Sequence, residues 1–216
     1  FSASNVFQHP QHRVSHGFDW RAAAARGTEM GSVDVPDPGL MAAVGAPSDR
    51  VIEVIDQIEG YVIAANRNSP NSTVIAGETE AVRLAMKVLS DAGATVIPLQ
   101  TSHAFHTEIV APANGPLKRY LESIDISLPD IPITANVDGS FYPSEAEDVR
   151  SSILEKLAPQ MSSPVNWIDQ IETMYAAGAR LFLEVGPKRA LSSTVSDILG
   201  DDAKSSTTNH PKVGGI

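Results

Sequence analysis

GLMAAVGAPSDRVIEVIDQIEGYVIAANRNSPNSTVIAGETEAVRLAMKVLSDAGATVIPLQT, residues 39 to 101, alternates short apolar runs with helical patterns. LMAAVG (40–45) is a short strand-like run. PSDRVIEVIDQI follows, with Ser48 as the expected cap and Val51, Ile55 and Ile58 at helical spacing. YVIAANRN and STVIAG are apolar, partly β-branched runs separated by Ser-Pro-Asn, which predicts two strands and a connecting turn. TEAVRLAMKVLSDAG sets Ala81, Leu84, Ala85, Val88 and Leu89 along one expected face and closes on Gly93, which as the C′ residue can take positive φ. ATVIPLQT is the last run. Strand, helix, strand, strand, helix, strand is the order of a ferredoxin-like lobe, so residues 39–104 are read as one subdomain.

On the amino-terminal side, FDWRAAAARGTEM (18–30) predicts a helix, because alanine and arginine favour that state and Gly27 weakens it or ends it. SVDVPDPG (32–39) reads as a loop. Residues 1–38 are therefore taken as an N-terminal segment carrying one helix. On the other side, residues 105–200 predict a long helix over about 107–124, a strand at PITANV, helices near 147–158 and 164–177, a strand at RLFLEV and a final helix near 188–199. Helices alternating with apolar strands suit a parallel α/β layer. DDAKSSTTNHPKVGGI (201–216) reads as a polar linker or tail.

Composition narrows the function. The chain has 216 residues, 42% of them hydrophobic and 19% charged, the profile of an ordinary globular protein. A net charge of −10 disfavours nucleic acid and anionic membrane as partners. No apolar run approaches the roughly 20 residues that cross a bilayer. The absence of cysteine excludes disulfides, thiolate metal sites and a cysteine nucleophile, and suits a reducing, cytoplasmic setting. His9, His12 and His16 have the spacing of a helical metal face, but Pro10 interrupts that helix and no fourth ligand is evident, so no metal site is expected. Gly186-Pro187-Lys188 resembles a phosphate loop only superficially and suits a tight turn.

Four separated segments carry a resemblance. They are Ala25-Arg26-Gly27-Thr28-Glu29-Met30 with Gly39-Leu40-Met41-Ala42-Ala43-Val44; Ala65-Asn66-Arg67-Asn68-Ser69-Pro70 with Val74-Ile75-Ala76-Gly77; Ser102-His103-Ala104-Phe105-His106; and Gln160-Met161-Ser162-Ser163-Pro164-Val165-Asn166-Trp167 with Glu184-Val185-Gly186-Pro187. In this order and spacing they resemble the acyltransferase family of malonyl-CoA:acyl carrier protein transacylases and polyketide synthase acyltransferase domains. The resemblance implies an α/β fold in which a ferredoxin-like small lobe is inserted into an α/β-hydrolase-like large lobe. The large lobe is expected to be incomplete here.

It also implies roles. A serine on a sharp turn attacks the CoA thioester, and the acyl group passes to the phosphopantetheine thiol of an acyl carrier protein. Such a serine needs a base close to neutrality, and His106 sits where the family places it. Gln160 matches the residue that orients that base through its carbonyl oxygens. Arg26 matches an arginine that grips the free carboxylate of malonyl-CoA with two parallel hydrogen bonds. Met30 would line the acyl pocket, and His103 would help to shape it. Phe105, in His-Ala-Phe-His, goes with malonyl selection, because a phenyl ring fills the space that an α-methyl group needs; one methyl is worth about 1–3 kcal/mol. Malonyl-CoA is thus the implied substrate, the acyl carrier protein the implied partner, and no resident cofactor or metal is expected.

The family's Gly-His-Ser-x-Gly nucleophile motif and its upstream Gly-Gln-Gly segment have no match in this sequence; Ser15-His16-Gly17 is the nearest string and runs in the wrong order. The resemblance therefore implies a fragment of a larger protein, close to inert alone, with exposed strand edges and a need for the missing N-terminal part or other synthase domains. A non-catalytic docking remnant is the alternative. An unrelated ferredoxin-like module for nucleic acid is a third reading, against which the acidity counts.

Overall fold

Small and β-branched residues at alternate positions make the central sheet. The computed structural model describes residues 17–126, 129, 131–143, 145, 148–210 and 214–215. His9, His12 and His16, and the Ser15-His16 string with them, lie outside the described residues. Strands β1 (Leu40–Gly45), β2 (Val62–Ser69), β3 (Ser72–Gly77), β4 (Thr95–Pro98) and the short β5 (Val165–Asn166) form one sheet in the order β4-β1-β3-β2-β5. The first four pair antiparallel, with Ala42 opposite both Ile75 and Pro98. β5 joins in parallel, with Asn66 opposite Val165. It ties the carboxy-terminal part of the chain to the edge of this sheet.

Alternation along the strands divides the sheet's two faces. Ala42, Val44 and Ile75 pack under helices α2 (Ser48–Ile55) and α3 (Thr79–Asp91), against Val51, Ile55, Val82 and Leu89. Full burial of each such aliphatic side chain contributes about 1.5–3 kcal/mol. Met41, Val74 and Ala76 turn the other way and pack with Ala65 and Ala104. A third core joins helix α4 (Asn114–Glu122) and α5 (Val149–Leu157) through Leu117, Leu121, Ile153, Leu157 and Met161; Met30 of α1 (Gly17–Gly31) packs against it. Helix α6 (Trp167–Ala176) leads to β6 (Leu181–Pro187), α7 (Ala190–Leu199), β7 (Lys204–His210) and β8 (Gly214–Gly215). β6 and β7 are parallel, and β8 is antiparallel to β7.

Several details differ from the sequence reading. Gly27 does not end α1, which runs on to Gly31. Ser48 is not the cap of α2: Pro47 holds that place without a side-chain bond, and Ser48 is a buried helical residue. The inner face of α3 is Ala81, Val82, Ala85 and Leu89, while Leu84 and Val88 are exposed. The expected single helix over 107–124 is a 3₁₀ segment, Glu108–Ala113, followed by α4, because Pro112 has no N–H to continue an α-helical ladder. PITANV is not a strand. The chain reverses at Asp138-Gly139, where Gly139 has φ +69°, and closes on itself through Ala135 N–H to Ser140 O and Tyr142 N–H to Ile133 O, each 2.8 Å. Only Thr134 and Phe141 bridge. The tail is not simply a linker. Lys204–His210 forms β7, since its hydroxyls find partners: Ser205 Oγ bonds Ser192 O and Thr207 Oγ1 bonds Lys188 O.

Candidate active site

A turn with an improbable backbone carries the histidine singled out above. His106 has φ +63°, a left-handed conformation that costs a non-glycine residue about 1–2 kcal/mol and persists only where its surroundings impose it. The surroundings here are extensive. His106 N–H donates to Met161 O at 2.8 Å and Ala104 N–H to Pro38 O at 2.7 Å. Thr107 Oγ1 donates to Ala104 O, and Glu108 N–H donates to Tyr61 Oη at 3.0 Å.

The imidazole is anchored at one end. Nδ1 lies 3.2 Å from the backbone carbonyl oxygens of both Gln160 and Ser163. Carbonyls only accept, so Nδ1 carries the hydrogen in the neutral ring and Nε2 keeps a free lone pair. Gln160 and Met161 belong to a 3₁₀ turn, Ala158–Met161, after α5. Asn114 Nδ2 holds the next residue by donating to Ser162 Oγ at 2.6 Å, and Asn114 Oδ1 is buried without a partner. Ser163 was not read from the sequence. Its contribution is a main-chain oxygen, which leaves no mark in residue type.

Burial pushes the His106 pKa below its ordinary 6.5, the two carbonyls oppose this, and the positive charge of Arg26 adds to the lowering. The folded ring thus binds protons less well than the unfolded one. Stability held above pH 6.5 is lost as the pH falls through the depressed value. Arg26, on α1, is itself partly buried; its Nε is enclosed with no hydrogen-bond partner, and burial lowers its pKa. A guanidinium in that state suits an anionic partner. Arg26→Gln is expected to raise the His106 pKa, followed as the proton NMR titration of its Cε1–H. An unchanged titration would show that the two groups are not electrostatically coupled.

Beside the histidine, Phe105 is half-buried against the core of Met41, Ala65, Val74, Ala76 and Ala104. The His103 ring lies 6.0 Å from the Phe105 ring, and its Nε2 is 3.1 Å from Val33 O. Met30 packs into the core that contains Val33 and Met161. The structure therefore gathers His106 with the Gln160 carbonyl and sets Phe105 and His103 on the same loop; no hydrogen bond joins Arg26 to them among the described residues. Gly186 and Pro187 are not a separate tight turn: they are the last residues of β6, past a register shift between Glu184 and Pro187, and the chain bends at Lys188, which has φ +70°. Among the described residues no group of His, Asp and Glu is placed to hold a metal ion, and no helix is long and apolar enough to cross a membrane.

Comparison with known proteins finds close sequence relatives. The chain is 34% identical over 178 residues to the malonyl CoA-acyl carrier protein transacylase of Bacillus subtilis, covering 80% of this chain and 55% of that protein. It is 34% identical over 177 residues to a polyunsaturated fatty acid synthase from a Thraustochytrium species, covering 80% of this chain and 6% of that one. Among solved structures, the malonyl CoA-acyl carrier protein transacylase of Clostridium perfringens superposes with a TM-score of 0.80 at 31% identity, over 90% of this chain and 60% of its own. The chain thus spans little more than half the length of these transacylases. No family model matches.

Proposed function

The chain belongs to the malonyl-CoA:acyl carrier protein transacylase family, and from that premise we propose that it supplies the base and the acyl-binding half of a malonyl transfer site. The substrate is malonyl-CoA, the acceptor is the phosphopantetheine thiol of an acyl carrier protein, and the protein itself needs no resident cofactor. The observation that carries this reading is the Nε2 lone pair of His106, freed by the two carbonyls that hold Nδ1.

In the proposed cycle a serine supplied by another segment attacks the thioester carbonyl while His106 Nε2 takes the hydroxyl proton. The same nitrogen returns that proton to the departing CoA sulfur, leaving malonyl on the serine. In the second half the pantetheine thiol gives its proton to Nε2 and attacks the ester, and the serine oxygen takes the proton back. Gln160 acts by orienting the ring. Arg26 holds the malonyl carboxylate, and its unpartnered Nε supports that assignment. Phe105 biases the pocket against α-branched acyl groups, with Met30 and His103 shaping it. The alternative reading is a docking remnant without turnover.

The two part in one experiment. The elbow segment of the family is fused ahead of residue 1 or added in trans, and malonyl transfer from labelled CoA is followed. Covalent malonylation and transfer to a carrier protein are expected; their absence with a folded complex would leave only the docking role.

We read residues 39–104 as a ferredoxin-like small lobe and the remainder as part of an α/β-hydrolase-like large lobe, a division that the strand order β4-β1-β3-β2 supports. Leu181, Leu183 and Val185, 69%, 54% and 81% exposed, form an apolar row on β6, which pairs among the described residues only with β7. Parallel sheets are normally covered on both faces. The row supports a requirement for the N-terminal part of the family domain. Alone, the chain is expected to self-associate at micromolar concentrations, and Leu183→Lys with Val185→Lys to reduce this in sedimentation velocity. A strictly monomeric parent chain would count against the reading.

A further inference from the structure

A carboxylate far from the histidine in sequence ties α3 to the loop of residues 33–39. Asp37 Oδ1 accepts from Gly39 N–H at 2.9 Å and from Thr79 Oγ1 at 2.5 Å, while Oδ2 accepts from Thr79 N–H at 2.8 Å. Thr79 opens α3, whose own N-cap residue, Glu78, makes no side-chain cap bond. Asp37 therefore caps α3 from 42 residues upstream. These three hydrogen bonds also hold the Asp37 carboxyl below its ordinary pKa.

The same carboxylate fixes the Pro38-Gly39 link. Pro38 O receives Ala104 N–H, two residues before His106. Gly39 has φ +74°, and its Cα packs so closely that a Cβ there would lie 2.6 Å from Ala104 Cβ and 2.9 Å from Ile109 Cδ1. Val33, at the other end of this loop, receives His103 Nε2. Residues 33–39 thus form a brace, tied to α3 through the Asp37 carboxylate and to the His103–His106 turn through the carbonyl oxygens of Pro38 and Val33.

We propose that Asp37 is a positioning residue for the His106 turn, acting through Pro38, Gly39 and Ala104 to impose the left-handed conformation on the histidine. It does not touch the ring. The proposal rests on the role given to His106 above, but its test does not need turnover.

Asp37→Asn keeps the size and loses the second acceptor. In the full chain, amide hydrogen exchange at Ala104 and His106 is expected to quicken about tenfold or more, together with that of the first turn of α3. The His106 Cε1–H titration is expected to move up toward the ordinary histidine value as the ring loosens. Faster exchange confined to α3, with the His106 titration unchanged, would reduce Asp37 to a helix cap and overturn the proposal while leaving the transferase reading intact. If Asp37→Asn does not fold, Thr79→Val removes only the hydroxyl donor, and the same two readings at smaller amplitude decide. Asp37→Glu, which retains both oxygens, is expected to restore part of the protection at Ala104.

Discussion

His106→Ala should lower malonyl transfer by about a thousandfold or more in the elbow-complemented protein, because no other described base is anchored with a free ring nitrogen at this turn. The comparison should be made at saturating malonyl-CoA, so that the loss is read in kcat. The fold should change little, since alanine keeps the backbone bonds of the turn and removes only the ring with its two carbonyl contacts, while the cost of φ +63° is set by Cβ and stays the same. Retention of more than a tenth of the parent rate would show that another group takes the proton, and the assignment would fall. The pH profile adds a second check. The parent's acid limb should lie below pH 6.5, in keeping with the depressed His106 pKa, because the neutral ring is the active form.

A large effect on stability is expected at Gly39. Alanine there meets a positive φ of +74°, the Ala104 and Ile109 side chains, and the backbone oxygen of Gly77, which cannot rotate away. Strain and overpacking together should cost about 3 kcal/mol or more. Chemical denaturation with the slope checked for constancy measures this. Gly93→Ala is the useful contrast. Gly93 also has positive φ, +88°, but nothing lies within 4 Å of its added Cβ, so only the conformational part, about 1 kcal/mol, should remain. Equal losses at the two sites would mean that close packing around Gly39 is not what fixes the brace.

How far the residues announce this architecture differs from element to element. The alternation in 39–101 is plain because both faces of that sheet are filled by the chain's own side chains, so period and burial agree. Orientation is less plain. In α3 the pairs Ala81/Ala85 and Leu84/Val88 offer competing stripes, and the tertiary choice falls on the one that admits Val82. The strand at Lys204–His210 is hidden because its stability comes from hydroxyl bonds to α7 and its neighbouring turn instead of from an apolar pattern. The site divides the same way. His106, Arg26 and Phe105 are legible as side chains in motifs, whereas the Ser163 oxygen and the Asp37 brace depend on contacts made 57 and 42 residues apart.

The two-carbonyl anchor of His106 has a bearing on how such a site tolerates genetic drift. A triad that relies on an aspartate can be disabled by one codon, because the acceptor is a side chain. Here every amino acid placed at position 160 or 163 would bring the same acceptor with it. Point mutations can weaken the anchor only by shifting the path of the main chain, so harmful substitutions should cluster at residues that shape the loop, such as Asn114 and the neighbouring prolines, Pro159 and Pro164.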